Sequence, residues 1–230
     1  MRDFLSSSLF FGMILSVGSY LVGVYLKNKF KIFIFNPLLI SIVISIVALL
    51  LLDIDYNSYN SGAKYLSYLL TPATVCLAIP LYEQMKQLKD NFTAIMIGIT
   101  SGVITSAVTI LILSLLFKLN HAQYVTLLPK SITTAIGIGL SEELAGYVAI
   151  TVSAIMITGL FGNIAGELLC RILGIKHPVA KGVAIGTSTH VMGTAKAMEI
   201  GEIEGAMSSL AIAVAGCMTV LASILFEWAI

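Results

Sequence analysis

Polar and apolar positions divide the chain into long apolar runs separated by short polar breaks. A helix needs about 20 predominantly apolar residues to cross a bilayer. Residues 4–26, 92–117, 144–170 and 205–228 each reach that length. Residues 32–52 form another run, with Pro37 in the first turns, where a helix tolerates proline. Residues 65–82 form one more, interrupted by Pro72 and closed by Pro80. Residues 53–60 read as a polar loop, 171–181 as a basic connector around His177-Pro178, and 199–204 as an acidic break. Two runs remain, 126–140 and 182–198, both short and rich in small residues. The pattern predicts an all-α, polytopic membrane protein of about seven or eight membrane segments, some broken or re-entrant.

The short runs carry the polar chemistry. Residues 127–140 hold Pro129, Lys130, three hydroxyls and two glycines; residues 186–196 hold Thr187, Ser188, Thr189, His190, Thr194 and Lys196. Lipid tolerates such segments only where protein buries them or a wet cavity lies beside them. They read as the walls of a path for a polar solute.

Composition agrees. The 230 residues are 58% hydrophobic and 11% charged, with a mean hydropathy of +0.99. Soluble domains carry roughly a quarter charged residues. A net charge of +1 excludes a nucleic-acid surface. Cys76, Cys170 and Cys217 have neither disulfide nor zinc spacing, so they read as small buried residues, and no metal or cofactor is expected. The first run is too long for a signal-peptide core and lacks a cleavage site.

Each candidate residue has a plainer alternative. Pro129 at a first helical position would leave backbone N–H groups facing an anion. Lys130 would add charge there, and Ser131, Thr133 and Thr134 neutral donors. Otherwise Lys130 snorkels to headgroups and the hydroxyls bond their own helix. His190 would bind solute or handle a proton beside Ser188 and Thr194, or simply pack. Asn163 would line the path or bond a neighbouring helix. Glu167 would pair with Arg171 at i+4, and Lys196 would cap its segment. Gly98-x-x-x-Gly102 suits close helix packing. No hydrolase, phosphate-loop or dinucleotide motif occurs, so no enzyme is expected.

Orientation follows from lysine and arginine. Placing Lys27, Lys29 and Lys31 in the cytoplasm puts the amino terminus outside and Lys86 and Lys89 inside. Arg171, Lys176 and Lys181 are then cytoplasmic only if residues 129–140 dip in and return. A faint repeat lays residues 71–80 on 128–137 at an offset of 57, pairing Gly102 with Gly159 and Ser106 with Asn163. An offset of 115 lays 73–80 on 188–195, suggesting repeat halves 1–115 and 116–230 in a single membrane domain.

Ordered motifs add a family resemblance. They are Leu128-Pro-Lys-Ser-Ile-Thr-Thr-Ala-Ile136, Ser141-Glu-Glu-Leu-Ala-Gly146, Gly159-x-x-Gly-Asn-x-x-Gly166 and His177-Pro-x-Ala-x-Gly-x-Ala-x-Gly186. Ser188-x-His190-x-x-Gly193-Thr194-Ala195 and Glu204-Gly-Ala-Met-Ser-Ser209 complete them. Nearly the whole chain resembles the LrgB/CidB family of antiholin-like and holin-like bacterial membrane proteins. The resemblance implies a multi-pass protein of the bacterial cytoplasmic membrane. It also implies one of two activities: regulation of murein hydrolase export and autolysis through oligomers, or movement of small monocarboxylates of the pyruvate, glycolate or glycerate type. A separate LrgA/CidA-type membrane partner is implied too.

Overall fold

Every regular element among the described residues is helical. The computed structural model describes residues 8, 10–30, 36–69, 72, 75–76 and 78–230. The chain divides into two compact units, Met1–Cys76 and Leu77–Ile230. The start of the first apolar run, Lys31 and much of the 71–80 repeat arm lie outside the described residues.

The first unit holds α1 (Phe11–Phe30), α2 (Pro37–Leu52) and α3 (Tyr56–Ser67). Pro37 opens α2, and the Asn36 side chain accepts hydrogen bonds from the N–H groups of Leu38 and Leu39. A hydroxyl seam joins the helices. Ser19 meets Ser45 at 3.1 Å and Ser16 meets the Tyr59 hydroxyl at 2.7 Å. The polar loop is shorter than expected, because the Asp55 carboxylate accepts from the Asn57 N–H and starts α3 at Tyr56. Nor do residues 65–82 form one segment: α3 stops at Ser67. Pro80 lies in the first turn of α4 (Ala78–Glu83), where it closes nothing.

The second unit continues with α5 (Met85–Asp90), α6 (Phe92–Leu116), α7 (His121–Leu127), α8 (Thr134–Glu143), α9 (Val148–Ile172), α10 (Pro178–Ile200) and α11 (Glu202–Phe226), extended by a 3-10 turn, Glu227–Ala229. Among the described residues α6, α9 and the α11 stretch Glu202–Ala229 are long and apolar enough to cross a membrane. Their core joins Ile95, Ile99 and Val103 of α6 to Ala206, Met207 and Ala211 of α11. At the sequence offset of 57, α6 falls on residues 149–173, one position from α9.

Between these spans the chain folds back twice. Helix α7 and helix α8 are about 10 and 15 Å long, too short to cross. The loop they form also closes on itself, since the Tyr147 N–H donates to Thr126 Oγ1 at 2.8 Å. The chain therefore leaves and returns at one level, and this is hairpin 1. Helix α10 hides hairpin 2. Gly182 and Met198 are 16 positions apart, about 24 Å in a straight helix, yet Gly182 packs on the Glu204 carbonyl and Met198 on neighbouring Gly205. The reversal is at His190, whose φ of 46° and ψ of −146° break the helix. Ile175 and Ile200, just outside the two ends of the fold, share one apolar cluster.

Hairpin 1 follows the carboxyl end of α6, whereas hairpin 2 follows the carboxyl end of α9, so they enter from opposite ends of the unit. The Gly98-x-x-x-Gly102 motif works inside this unit rather than between chains. A Cβ at Gly98 would lie 3.3 Å from Val183, and one at Gly102 would lie 2.7 Å from the Thr187 methyl. Lys86, Lys89, Arg171, Lys176 and Lys181 fall at one end of the spans and Lys118 at the other.

The fold-back makes a topological prediction. With the three native cysteines replaced, single cysteines at Lys118 and Lys176 should react with an impermeant thiol reagent from opposite sides of the membrane. Reaction from one side would mean that residues 127–146 cross.

Candidate functional site

A closed set of hydroxyls fastens the base of hairpin 1. Ser141 Oγ lies 2.7 Å from Thr151 Oγ1, which donates to the Thr126 carbonyl at 2.9 Å. Thr126 donates in turn to the Ala122 carbonyl. All three are buried. The exit of α8 is a left-handed turn, with Ala145 at φ 57° and the Gly146 N–H donating to the Ser141 carbonyl at 2.7 Å.

The tip of hairpin 1 differs from expectation. Pro129 is not at a helix start, because the Lys130 N–H donates to the Leu127 carbonyl and the Ile132 N–H to the Pro129 carbonyl, making a turn. Helix α8 begins five residues later, at Thr134, with Thr133 as a cap that makes no side-chain cap bond. Lys130 is half-buried, and its Nζ donates to Ser131 Oγ at 2.9 Å. The side-chain ion pairs among the described residues are Glu167 with Arg171 and Lys196, and Lys196 with Glu199; Lys130 has no carboxylate partner there.

Hairpin 2 is held at its tip and its base. His190 Nε2 donates to the Ile155 carbonyl of α9 at 2.9 Å, since a carbonyl can only accept. Asn163 Nδ2 donates to the Met192 carbonyl at 2.6 Å, just past the break. Thr194 Oγ1 donates to the His190 carbonyl and meets Ser208 Oγ at 2.6 Å. Gly162 is required here, because any Cβ would collide with Thr189. At the base, Lys196 reaches Glu167 at 3.0 Å and Glu199 at 3.4 Å, a nearer partner for Glu167 than Arg171 at 3.5 Å.

A small cavity lies between the two hairpins. Its polar lining is Ser106 of α6, Ser131, Thr187, and Thr219 and Ser223 of α11; Val103, Leu128 and Phe226 are among its apolar walls. Of the residues expected from sequence, Ser131 lines it, with Lys130 beside it. Thr133 and Thr134 start the return arm, while Asn163, His190 and Thr194 bind the backbone around the break. Ser188 is exposed and donates to the Ala184 carbonyl. Ser106 and Thr187 were not singled out as ligands. Thr187 belongs to the polar stretch, but sequence does not say which of its adjacent hydroxyls faces inward. No group of His, Cys, Asp and Glu side chains suited to a metal occurs among the described residues.

A family model described as LrgB-like matches residues 16–228. The chain belongs to this family. Over 213 residues it is 38% identical to antiholin-like protein LrgB of Bacillus mycoides (strain KBAB4), covering 92% of this chain and 93% of that protein. It is 37% identical, over the same length and shares, to the proteins of the same name from Bacillus cereus (strain B4264) and Bacillus anthracis (strain CDC 684 / NRRL 3495). No solved structure matches. Family membership and the apolar helices place this LrgB-like chain in a bacterial membrane.

The hydroxyl set at the base of hairpin 1 should be structural. Thr151→Val would leave Ser141 Oγ and the Thr126 carbonyl short of a partner, a loss of about 1–3 kcal/mol. The melting midpoint of the detergent-solubilised protein should fall, and an unchanged midpoint would contradict the network.

Proposed function

We propose that this LrgB-like protein carries small monocarboxylates, of the pyruvate, glycolate or glycerate type, across the bacterial membrane by alternating access. The supporting observation is that hairpins entering from opposite ends bring Ser131 and Thr187 to one cavity, beside a half-buried lysine with no acidic partner among the described residues. Discontinuous segments around a central site are how many carriers bind solute away from lipid. Lys130 supplies the charge that a carboxylate needs, and the N–H groups at the uncapped start of α8 add to it. In this reading Thr133 and Thr134 belong to the anion-facing arm. His190, Asn163 and Thr194 fix the shape of hairpin 2, and a coupled proton on His190 belongs to the proposal only as an addition. The repeat halves 1–115 and 116–230 are also part of it. The reading requires no catalysis.

The relatives' names favour a second reading, and the comparisons support it better than they support transport. Those proteins are called antiholin-like. By that analogy this chain would regulate murein hydrolase export and autolysis, through homo-oligomers or with an LrgA/CidA-type partner.

Uptake of labelled pyruvate and glycolate into proteoliposomes separates the readings. A carrier should saturate, show competition and counterflow, and lose about tenfold or more of its uptake in Lys130→Met. Nonselective leak that depends on oligomerisation, and is indifferent to Lys130, would favour the regulator.

A further inference from the structure

Hydroxyls in apolar helices ordinarily bond a carbonyl one turn back. In hairpin 2, Ser188 does so to Ala184, Thr189 to Ile185 and Thr194 to His190. Thr187 breaks the pattern. It is 7% exposed, its Oγ1 has no partner among the described residues, and it lines the cavity. Its methyl is fixed against Gly102.

Across the cavity, Ser131 Oγ accepts from the Lys130 ammonium, which leaves the Ser131 proton free to donate elsewhere. Ser106 Oγ lies 3.5 Å from Ser131 Oγ, at the limit of a hydrogen bond. Three hydroxyls from three separate parts of the chain thus converge with one cation near the middle of α6. Val103, Leu128 and Phe226 form an apolar side to the same space.

We infer that Thr187, Ser106 and Ser131 form an oxyanion-binding subsite, closed here to about the size of one water, which on widening receives a carboxylate through their O–H groups with Lys130 as counter-charge and leaves the ligand's carbon end on the apolar side. The inference rests on the transport reading and names the hydroxyl of hairpin 2 that meets the solute: Thr187, in place of Ser188, His190 or Thr194. A single cation and one apolar side suit a monoanion and disfavour a dicarboxylate.

The test is equilibrium binding of labelled pyruvate to the purified full chain, paired with melting in the absence of any anion. Thr187→Val keeps the side-chain shape and should weaken binding about tenfold, without lowering the anion-free melting midpoint. Thr187→Ser should restore affinity, and Ser106→Ala should weaken it. A lower anion-free midpoint for Thr187→Val would mean that the hydroxyl has a structural partner, which overturns the subsite. Unchanged affinity in that variant, with binding intact in the native chain, also overturns the subsite while leaving transport standing. If the native chain binds neither pyruvate nor, in the same assay, glycolate or glycerate, the subsite and the transport reading both fall.

Discussion

A broken helix in an apolar medium exposes N–H and C=O groups that water cannot reach, and each one left unpaired costs several kcal/mol. The second unit is arranged around that constraint. Its two interruptions, the turn at residues 128–133 and the break at His190, are both wrapped by the long helices α6, α9 and α11. Backbone groups released by the breaks find partners nearby. The Met192 carbonyl takes the Asn163 amide, and the His190 carbonyl takes Thr194. The base of hairpin 1 is closed by Thr126, Ser141 and Thr151. Small residues make the wrapping tight, since Gly162 and Gly186 leave no room for a Cβ against Thr189 and Ser208.

Much of this was legible in the sequence because polarity inside an apolar run has few explanations. The two polar stretches were recognisable as broken segments, and the basic residues already favoured a hairpin at 129–140 over a crossing. The places where expectation and structure part are local. Pro129 resembled a helix start, but a turn closed by the Lys130 N–H moves that start to Thr134. Residues 56–60 looked like loop until the Asp55 cap recruited them into α3. Pro80 looked like a terminator, yet a proline in a first turn costs a helix little.

The candidate site was legible by region and not by atom. Ser131 and Lys130 stood out as polar groups at a proline-marked interruption. Thr187 did not, because periodicity cannot tell a threonine that bonds its own helix from one that lacks a partner. His190 drew attention as a histidine in an apolar segment. Its ring is engaged with the Ile155 carbonyl, and its backbone occupies a conformation that glycine would adopt more easily. Only the three-dimensional pairing separates these roles.

The unequal fastening of the two hairpins has a mechanical consequence. Hairpin 2 is tied to α9 at its tip through His190 and Asn163, and at its base through the Lys196–Glu167 ion pair. Two anchor points separated along one helix resist both sliding and hinging, so hairpin 2 and α9 would travel as one body. Hairpin 1 is bound by hydrogen bonds at its base, while its tip meets α6 through apolar packing of Leu128 and Ile132 with Ile110 and through the long Ser106–Ser131 contact, a less directional hold. A loop clamped at one end bends at the other. Any opening of the cavity would thus begin as a swing of the Lys130 tip, with the hydroxyl cluster of Thr126, Ser141 and Thr151 as its fulcrum.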